Sequence, residues 1–377
     1  MKRRLKDFDF SLLAAVILLS VFGIIVISSA TRPDMTDESA KQQIWFAFGL
    51  VLSLVVSFID YHFVCKFYIA AYLACLTLLL AVLLYNRVIS EDVVARWFYI
   101  GPINIQPSEF AKIFMTVFLA GAISRNENAL KSPLPLTAIL MSIAAPTLLI
   151  LVQPSLSASS VLLFLSLSIL FAGGLRFKYI SLGALIVAPI GAALYFDMTR
   201  PEPLLLKTGL FSGYQIERLQ TFLNPDLDSD KMYQTLNSIA AIASGQISGK
   251  GLYNGVVTQT GRLPYAQTDF IFSVIGEEFG FIGCAATLAV TLFVILKCLL
   301  TAQRAADMEG KLIASGVASM FAFQAFVNVG VATSLLPNTG MPFPFVSYGG
   351  SSLWINMIAV GLVINIGMTK PKSMFER

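Results

Sequence analysis

The feature that most constrains this fold is a series of long apolar runs. A helix needs about 20 mostly apolar residues to cross the hydrocarbon core of a bilayer, and the sequence supplies such runs repeatedly. We predict ten spanning helices, at 10–30, 43–60, 63–86, 107–124, 134–152, 156–174, 177–197, 270–299, 312–335 and 352–368. The predicted fold class is all-α, a polytopic membrane helical bundle that forms a single domain over residues 1–377.

The composition excludes a soluble protein. Hydrophobic residues make up 56% of the chain and charged residues 13%, about half the charged share of an average soluble domain. The four cysteines lie in or beside apolar runs without CxxC spacing, so we interpret them as small apolar residues. A single histidine leaves no material for a histidine metal cluster or a Ser-His-Asp triad. We expect contact with membrane lipid and no nucleic-acid partner.

The placement of lysine and arginine predicts the orientation in the membrane. Short cytoplasmic loops carry an excess of these residues. With ten spans, the basic residues at the start, after helices four, six and eight, and at the end all fall on one side. We therefore predict that both termini are cytoplasmic, and that residues 198–269 form a large extracellular loop between helices seven and eight.

A second segment on the predicted outer side has an irregular backbone. Residues 337–350 contain three prolines and three glycines, which exclude a regular helix. Such backbone cannot face lipid, because its N–H and C=O groups would lack hydrogen-bond partners. The segment is therefore either an ordinary turn in water or the lining of a cavity within the protein.

Two charged residues fall inside a predicted span. Glu109 and Lys112 are spaced i, i+3, so they share one face of a helix, and Pro107 suits the first turn of that helix. Intramembrane charges are functional candidates because they are costly to place in hydrocarbon. The pair is either a salt bridge that allows the helix to insert or a substrate-facing group, and the two roles are compatible.

Asp269 stands where the long loop enters helix eight. It is either the N-terminal cap of that helix, or a carboxylate that acts as a general base or holds a divalent cation. At 100° per residue, at most one of Glu277 and Glu278 shares its face. The loop also carries Arg218 and Lys250, the latter within Gly-Lys-Gly. These basic groups suit either anionic lipid headgroups or a pyrophosphate.

Five stretches together resemble the SEDS family, the RodA/FtsW-type peptidoglycan glycosyltransferases. They are ARWFYIGPINIQPSEFAK (95–112), QIERLQTFLNP (215–225), MYQTLNSIAAIASGQISGKGL (232–252), LPYAQTDFIFSVIGEEFGFIG (263–283) and QAFVNVGVATSLLPNTGMPFPFVSYGGSS (324–352). The resemblance runs from the first helix almost to the C-terminus. We favour the RodA type, which serves cell elongation and shape, because both predicted cytoplasmic tails are short.

The resemblance implies an enzyme of the bacterial cytoplasmic membrane that polymerises lipid II on the outer face. Asp269 matches the family's essential aspartate and would activate the acceptor 4-hydroxyl or position a cation such as Mg²⁺ or Mn²⁺. The sugar would be transferred with inversion, from an α-linked pyrophosphate to a β-1,4 glycoside. The implied partner is a class B penicillin-binding protein, a transpeptidase. The predicted substrate-binding residues are Glu109, Lys112, Arg218, Lys250, Ser347 and Gly349.

One motif departs from the family pattern. Where the family commonly reads QPDLGT, this chain has Ser155 in place of the acid and Ser157 in place of the glycine, which weakens any mechanism with two carboxylates. Two other functions stay open. A lipid II flippase would need a polar path to the cytoplasmic side, and a non-enzymatic scaffold of the wall-synthesis complex would tolerate replacement of Asp269.

Overall fold

The computed structural model describes residues 5–31, 38–88, 96–100, 103–126, 128–179 and 229–369, with a few short pieces between 181 and 223. The described helices are α1 (Phe10–Ala30), α2 (Glu38–Phe58), α3 (Tyr61–Lys66), α4 (Tyr68–Val88), α5 (Pro107–Ser124), α6 (Pro133–Val152), α7 (Leu156–Ala172), α8 (Ser229–Gly245), α9 (Val256–Gln259), α10 (Ile271–Arg304), α11 (Met308–Ala332) and α12 (Gly350–Met368). Strands β1 (Phe98–Ile100) and β2 (Ile103–Ile105) form a small antiparallel hairpin in which Phe98 lies opposite Ile105.

The helical membrane bundle is confirmed. Among the described residues, seven helices are long and apolar enough to cross a membrane. Helices α5 and α7 occupy two further predicted spans. The predicted seventh span, 177–197, lies mostly outside the described residues, so the count of ten stays a prediction. The long segment 198–269 is described only in part, and its second half contains the helices α8 and α9.

The predicted span 63–86 is wrong in one respect, because two helices cover it. The short helix α3 begins after Asp60, whose carboxylate accepts a hydrogen bond from the His62 N–H at 3.0 Å. This is an N-cap interaction, and it allows a new helix to begin with only two residues between it and the end of α2. Helix α3 then ends at Lys66, with Phe67 as its C-cap, and α4 continues through the apolar run.

Helix α10 is interrupted at Gly280, which has a φ of 64°. This conformation is readily available only to glycine. The interruption removes the carbonyls of 277–278 and the N–H groups of 281–282 from the helical ladder. The segment 246–251 binds all four groups through backbone hydrogen bonds of 2.8 to 3.2 Å. These four backbone groups are therefore paired inside the bundle.

The close approach at this break requires glycine on the loop side as well. A Cβ atom at Gly249 would lie 2.2 Å from the carbonyl oxygen of Glu278, and Gly249 also has a positive φ of 77°. The Gly-Lys-Gly motif is therefore explained by its backbone, which lies directly against α10.

The bundle has two ends, which we name by their contacts. At the site end lie the start of α10, the C-terminal ends of α1 and α11, and the N-terminal ends of α2, α5 and α12. The opposite end holds the connection from α10 to α11 and the short helix α3. There His62 lies between two carboxylates, with Nδ1 2.7 Å from Asp60 Oδ1 and Nε2 2.5 Å from Asp307 Oδ2. Partial burial lowers the pKa of His62, but its hydrogen bonds to Asp60 and Asp307 outweigh that effect and raise it overall.

Candidate active site

Asp269 lies at the site end, in the last turn before α10. The N-cap of α10 is Phe270 and the helix begins at Ile271, so Asp269 is one residue outside the capping position. The interpretation of Asp269 as the N-cap of the helix is therefore wrong. Asp269 is partly exposed, whereas the next two residues, Phe270 and Ile271, are buried.

Three successive backbone carbonyls around Asp269 are held by hydrogen bonds from distant parts of the chain. The Tyr348 N–H donates to the carbonyl of Gln267 at 2.9 Å. The Ser347 hydroxyl donates to the carbonyl of Thr268 at 2.6 Å, and Asn328 Nδ2 donates to the carbonyl of Asp269 at 2.9 Å. Because these bonds anchor consecutive residues, the backbone that carries the Asp269 carboxylate has little freedom to rotate.

Two of these donors come from the segment 333–349, which we call the proline-rich loop. It contains no helix, as predicted, and its side chains Met341, Phe343 and Val346 are buried. Helix α1 packs directly on it, since a Cβ at Gly23 would lie 2.6 Å from the carbonyl oxygen of Val346. The second half of the loop therefore packs inside the protein, and its predicted role as the lining of a cavity stays a prediction.

Helix α2 holds the same loop from another side through one glutamine. Gln42 Nε2 donates to the Ser347 carbonyl, and Gln42 Oε1 accepts from the Gly349 N–H, both at 3.2 Å. Gln42 is 1% exposed, and the Trp45 ring packs 5.1 Å from that of Tyr348. Ser347 and Gly349 thus fix the loop through backbone and hydroxyl contacts. Gln42 was not predicted as a site residue, because it lies outside the recognised motifs.

The Glu109–Lys112 pair lies in α5 at the same end. Lys112 Nζ is 2.7 Å from Glu109 Oε2, and both side chains are buried. The predicted ion pair therefore forms. The start of α5 is joined to the start of α12 by Ser351, whose hydroxyl donates to the Asn104 carbonyl at 2.8 Å and accepts from the Gln106 N–H at 3.3 Å.

Lys250 contacts α10 rather than Asp269. Its Nζ lies 2.9 Å from Glu277 Oε1. The same carboxylate accepts hydrogen bonds from the Val257 N–H and from both the N–H and the hydroxyl of Thr258, at 2.8 to 3.0 Å. Glu277 is fully buried, and these donors compensate its charge. The ion pair holds the Gly-Lys-Gly segment against the break in α10.

Three other positions of the sequence analysis remain, at Glu278, Arg218 and Ser155. Glu278 accepts a hydrogen bond from the Ser29 hydroxyl of α1 at 2.5 Å. The hydrogen bonds of Glu277 and Glu278 therefore place neither glutamate beside Asp269. Arg218 lies outside the described residues. Ser155 stands where the family motif has an acid, and Arg96 donates to the carbonyls of Gln153 and Pro154, the two residues before it.

A divalent cation would find few protein ligands here. In the part of the chain that the structure describes, no group of three or more His, Cys, Asp or Glu side chains could hold a metal ion. Mg²⁺ is commonly bound by one or two carboxylates together with substrate phosphates. Asp269 fits that pattern as a single carboxylate ligand.

Comparison with known proteins agrees with this architecture. Residues 9–372 match the family of cell cycle proteins described as FTSW_RODA_SPOVE. The chain is 34% identical to the "Probable peptidoglycan glycosyltransferase FtsW" of Trichlorobacter lovleyi, over 96% of this chain and 94% of that protein. It is 33% identical to the "Peptidoglycan glycosyltransferase MrdB" of Escherichia coli K12, over 95% of this chain and 93% of that protein.

Two solved structures share the fold. One is a chain of a peptidoglycan synthase complex that coordinates polymerization and crosslinking, with a TM-score of 0.76, 26% identity, and coverage of 96% of this chain and 97% of that one. The other is the Thermus thermophilus rod shape determining protein RodA, with a TM-score of 0.68, 24% identity and 96% coverage of both chains. FtsW-type and RodA-type relatives match about equally well, so the preference for the RodA type stays a prediction. This multi-pass membrane protein belongs to the FtsW/RodA/SpoVE family of SEDS cell cycle proteins.

Proposed function

We propose that this peptidoglycan glycosyltransferase polymerises lipid II, with Asp269 as its general base or as the ligand of a divalent cation. The observation that carries the proposal is the set of three hydrogen bonds that hold the carbonyls of 267–269. A group that acts on developing charge is most effective when it is held in place before the reaction begins. The backbone at Asp269 meets that requirement.

The proposed reaction joins the 4-hydroxyl of one disaccharide to C1 of another. Asp269 takes the hydroxyl proton as the new C–O bond forms, and the bond from C1 to the pyrophosphate breaks on the opposite face. The pyrophosphate leaves with the bonding electron pair, so the α-linked donor becomes a β-1,4 glycoside. A bound Mg²⁺ or Mn²⁺, if held by Asp269 and the pyrophosphate, would supply positive charge for the leaving group.

The buried Lys112 of α5 is evidence that a polar substrate binds at the site end of the bundle. An ammonium group has three N–H donors, and Glu109 is the one acceptor of Lys112 among the described residues. Buried donors are normally paired. Lys112 therefore has capacity for a hydroxyl, a phosphate oxygen or water. Lys250 is 26% exposed despite its ion pair, and we propose that it, Arg218 and the loop residues Ser347 and Gly349 help to hold the substrate.

We also propose that the site end faces the outside of a bacterial cytoplasmic membrane, with both termini in the cytoplasm, in keeping with the distribution of Lys and Arg. A class B penicillin-binding protein is the proposed partner, since the 26%-identical neighbour belongs to a complex of polymerization and crosslinking. Cell elongation and shape are the proposed process.

The test replaces Asp269 with asparagine, which keeps the size of the side chain and removes the carboxylate. General base catalysis contributes about 10²–10⁴-fold, so Asp269→Asn and Asp269→Ala should both lower the yield of glycan chains from labelled lipid II by at least about 100-fold. The matched control is Asp307→Asn, because Asp307 also stands at the start of a helix, at the opposite end. We expect that control to polymerise within about twofold of wild type.

Thermal unfolding of all three variants separates catalysis from folding. Asp269→Asn should unfold near the wild-type temperature, since asparagine retains the same backbone contacts. A normal glycan ladder from Asp269→Asn would exclude Asp269 as base or cation ligand, whereas wild-type protein that makes no ladder from lipid II would favour the scaffold function.

A further inference from the structure

We infer that Asn328 is a positioning residue for Asp269, an inference that rests on the proposed function of that carboxylate. Asn328 lies in the last two turns of α11 and is fully buried. Its Nδ2 donates to the Asp269 carbonyl at 2.9 Å and to the Met341 carbonyl at 2.7 Å. One amide group thus joins α11, the residue before α10, and the proline-rich loop.

The Asp269 carbonyl lies just before the first carbonyl that accepts a helical hydrogen bond in α10. The N–H groups of Ser273 and Val274 both donate to the Phe270 carbonyl, at 2.9 and 3.3 Å, so the helical ladder begins one residue after Asp269. Asn328 Nδ2 supplies a hydrogen-bond donor to this carbonyl at 2.9 Å. Because the carbonyl and the carboxylate share one Cα, the bond also limits the directions in which the carboxylate can point.

The orientation of the amide follows from its partners. Both contacts of Nδ2 are carbonyl oxygens, which accept hydrogen bonds and cannot donate them. The nitrogen must therefore be on that side. The amide oxygen Oδ1 is buried without a hydrogen-bond partner among the described residues. A residue chosen only to fill space would avoid this unpaired acceptor, so the two donors of Asn328 are the reason for an amide at this position.

A second buried asparagine provides a matched control. Asn365 in α12 is also fully buried. Its Nδ2 donates to the Ser57 carbonyl at 2.6 Å, and its Oδ1 accepts from the Tyr61 N–H at 3.0 Å. It joins helices through backbone groups as Asn328 does, but at the opposite end of the bundle. Loss of either amide should weaken packing, whereas only loss of Asn328 should disturb Asp269.

The experiment compares Asn328→Leu with Asn365→Leu in the full-length protein, purified in detergent. Leucine has the same branching at Cγ and the same number of side-chain heavy atoms as asparagine, and it has no hydrogen-bonding group. Both variants should unfold at a lower temperature than wild type. A displacement of about 1 Å at a reacting group can cost about 100-fold in rate. We therefore expect Asn328→Leu to lower kcat for lipid II polymerisation by about 10- to 100-fold with KM within about twofold, and Asn365→Leu to leave kcat within about twofold.

Because a loss of folded protein also lowers the apparent kcat at constant KM, kcat is expressed per mole of folded enzyme in both variants. An unchanged KM then excludes a loss of substrate binding, and the difference from Asn365→Leu identifies the positioning role. If Asn328→Leu does not fold, Asn328→Ala removes the same donors without crowding the site and should give the same loss of kcat. Suppose that Asp269→Asn is inactive and that the folded Asn328 variant has a kcat within twofold of the Asn365 control. That result would overturn the positioning role of Asn328 and leave the proposed function intact. An active Asp269→Asn would instead overturn the proposed function.

Discussion

The buried ion pair in α5 predicts a large loss of stability when a single partner is removed. Lys112 Nζ and Glu109 Oε2 are 2.7 Å apart, with side chains 1% and 7% exposed. Removal of one partner leaves the other charge buried and uncompensated, which costs about 3–5 kcal/mol. We therefore expect Lys112→Met to destabilise the protein by that amount, and Glu109→Gln to do the same.

The structure offers the same substitution at a more exposed pair of similar length. Lys297 Nζ lies 2.8 Å from Asp9 Oδ2, with side chains 26% and 23% exposed. Solvent reaches both of these side chains and screens their charges, and a fully exposed pair contributes only about 0–1 kcal/mol. Lys297→Met should therefore cost much less than Lys112→Met. The double variant Glu109→Gln/Lys112→Met leaves no buried charge and should recover most of the stability that the single variants lose.

Thermal unfolding in detergent and polymerisation of labelled lipid II would be measured on the same preparations. If the pair also binds substrate, the double variant should be stable and still slow. Equal destabilisation by Lys112→Met and Lys297→Met would refute the reasoning from burial. A double variant with normal turnover would confine the pair to a structural role.

Two further predictions concern the loop at the α10 break and the opposite end of the bundle. Gly249→Ala should lower the unfolding temperature much more than Gly174→Ala, since both glycines have positive φ but only Gly249 would bring a Cβ into contact with another atom; equal shifts in a thermal unfolding assay would contradict the requirement for close approach. The pKa of His62 is raised by Asp60 and Asp307, so its stabilising contribution is complete below its ordinary pKa of about 6.5 and is lost as the pH rises through the higher folded value. The unfolding temperature of the wild type should therefore fall as the pH rises above about 6.5, and that of His62→Gln should fall less. If the unfolding temperature of His62→Gln depends on pH as steeply as that of the wild type, other groups cause the effect.

The membrane helices were predictable because each apolar run satisfies its own backbone within one helix. The break at Gly280 was not predictable by the same argument. Apolar residues continue on both sides of it, and the four freed backbone groups find partners in 246–251, about 30 residues earlier in the chain. Hydropathy reports whether a segment can lie in lipid, and it carries no information about a partner of this kind.

The site was predictable to different depths at different residues. The i, i+3 spacing of Glu109 and Lys112 predicted their contact, since the geometry of one helix determines it. The partner of Lys250 was not predictable, because its contact with Glu277 depends on how the Gly-Lys-Gly segment folds back onto α10. A basic residue in an outer loop suits a phosphate and a buried glutamate equally well on charge alone.

The proline-rich loop was predictable in its conformation but not in its contacts. Its composition excludes a helix, and backbone without a helix cannot face lipid, so the loop had to lie in water or inside the protein. The sequence did not reveal that this loop also supplies hydrogen-bond donors. The Tyr348 N–H and the Ser347 side-chain hydroxyl donate to the carbonyls of Gln267 and Thr268, so Asp269 is held directly beside the loop. In a helical loop the Tyr348 N–H would bond to a carbonyl of its own helix instead. The irregular backbone is therefore a requirement for this contact with the site.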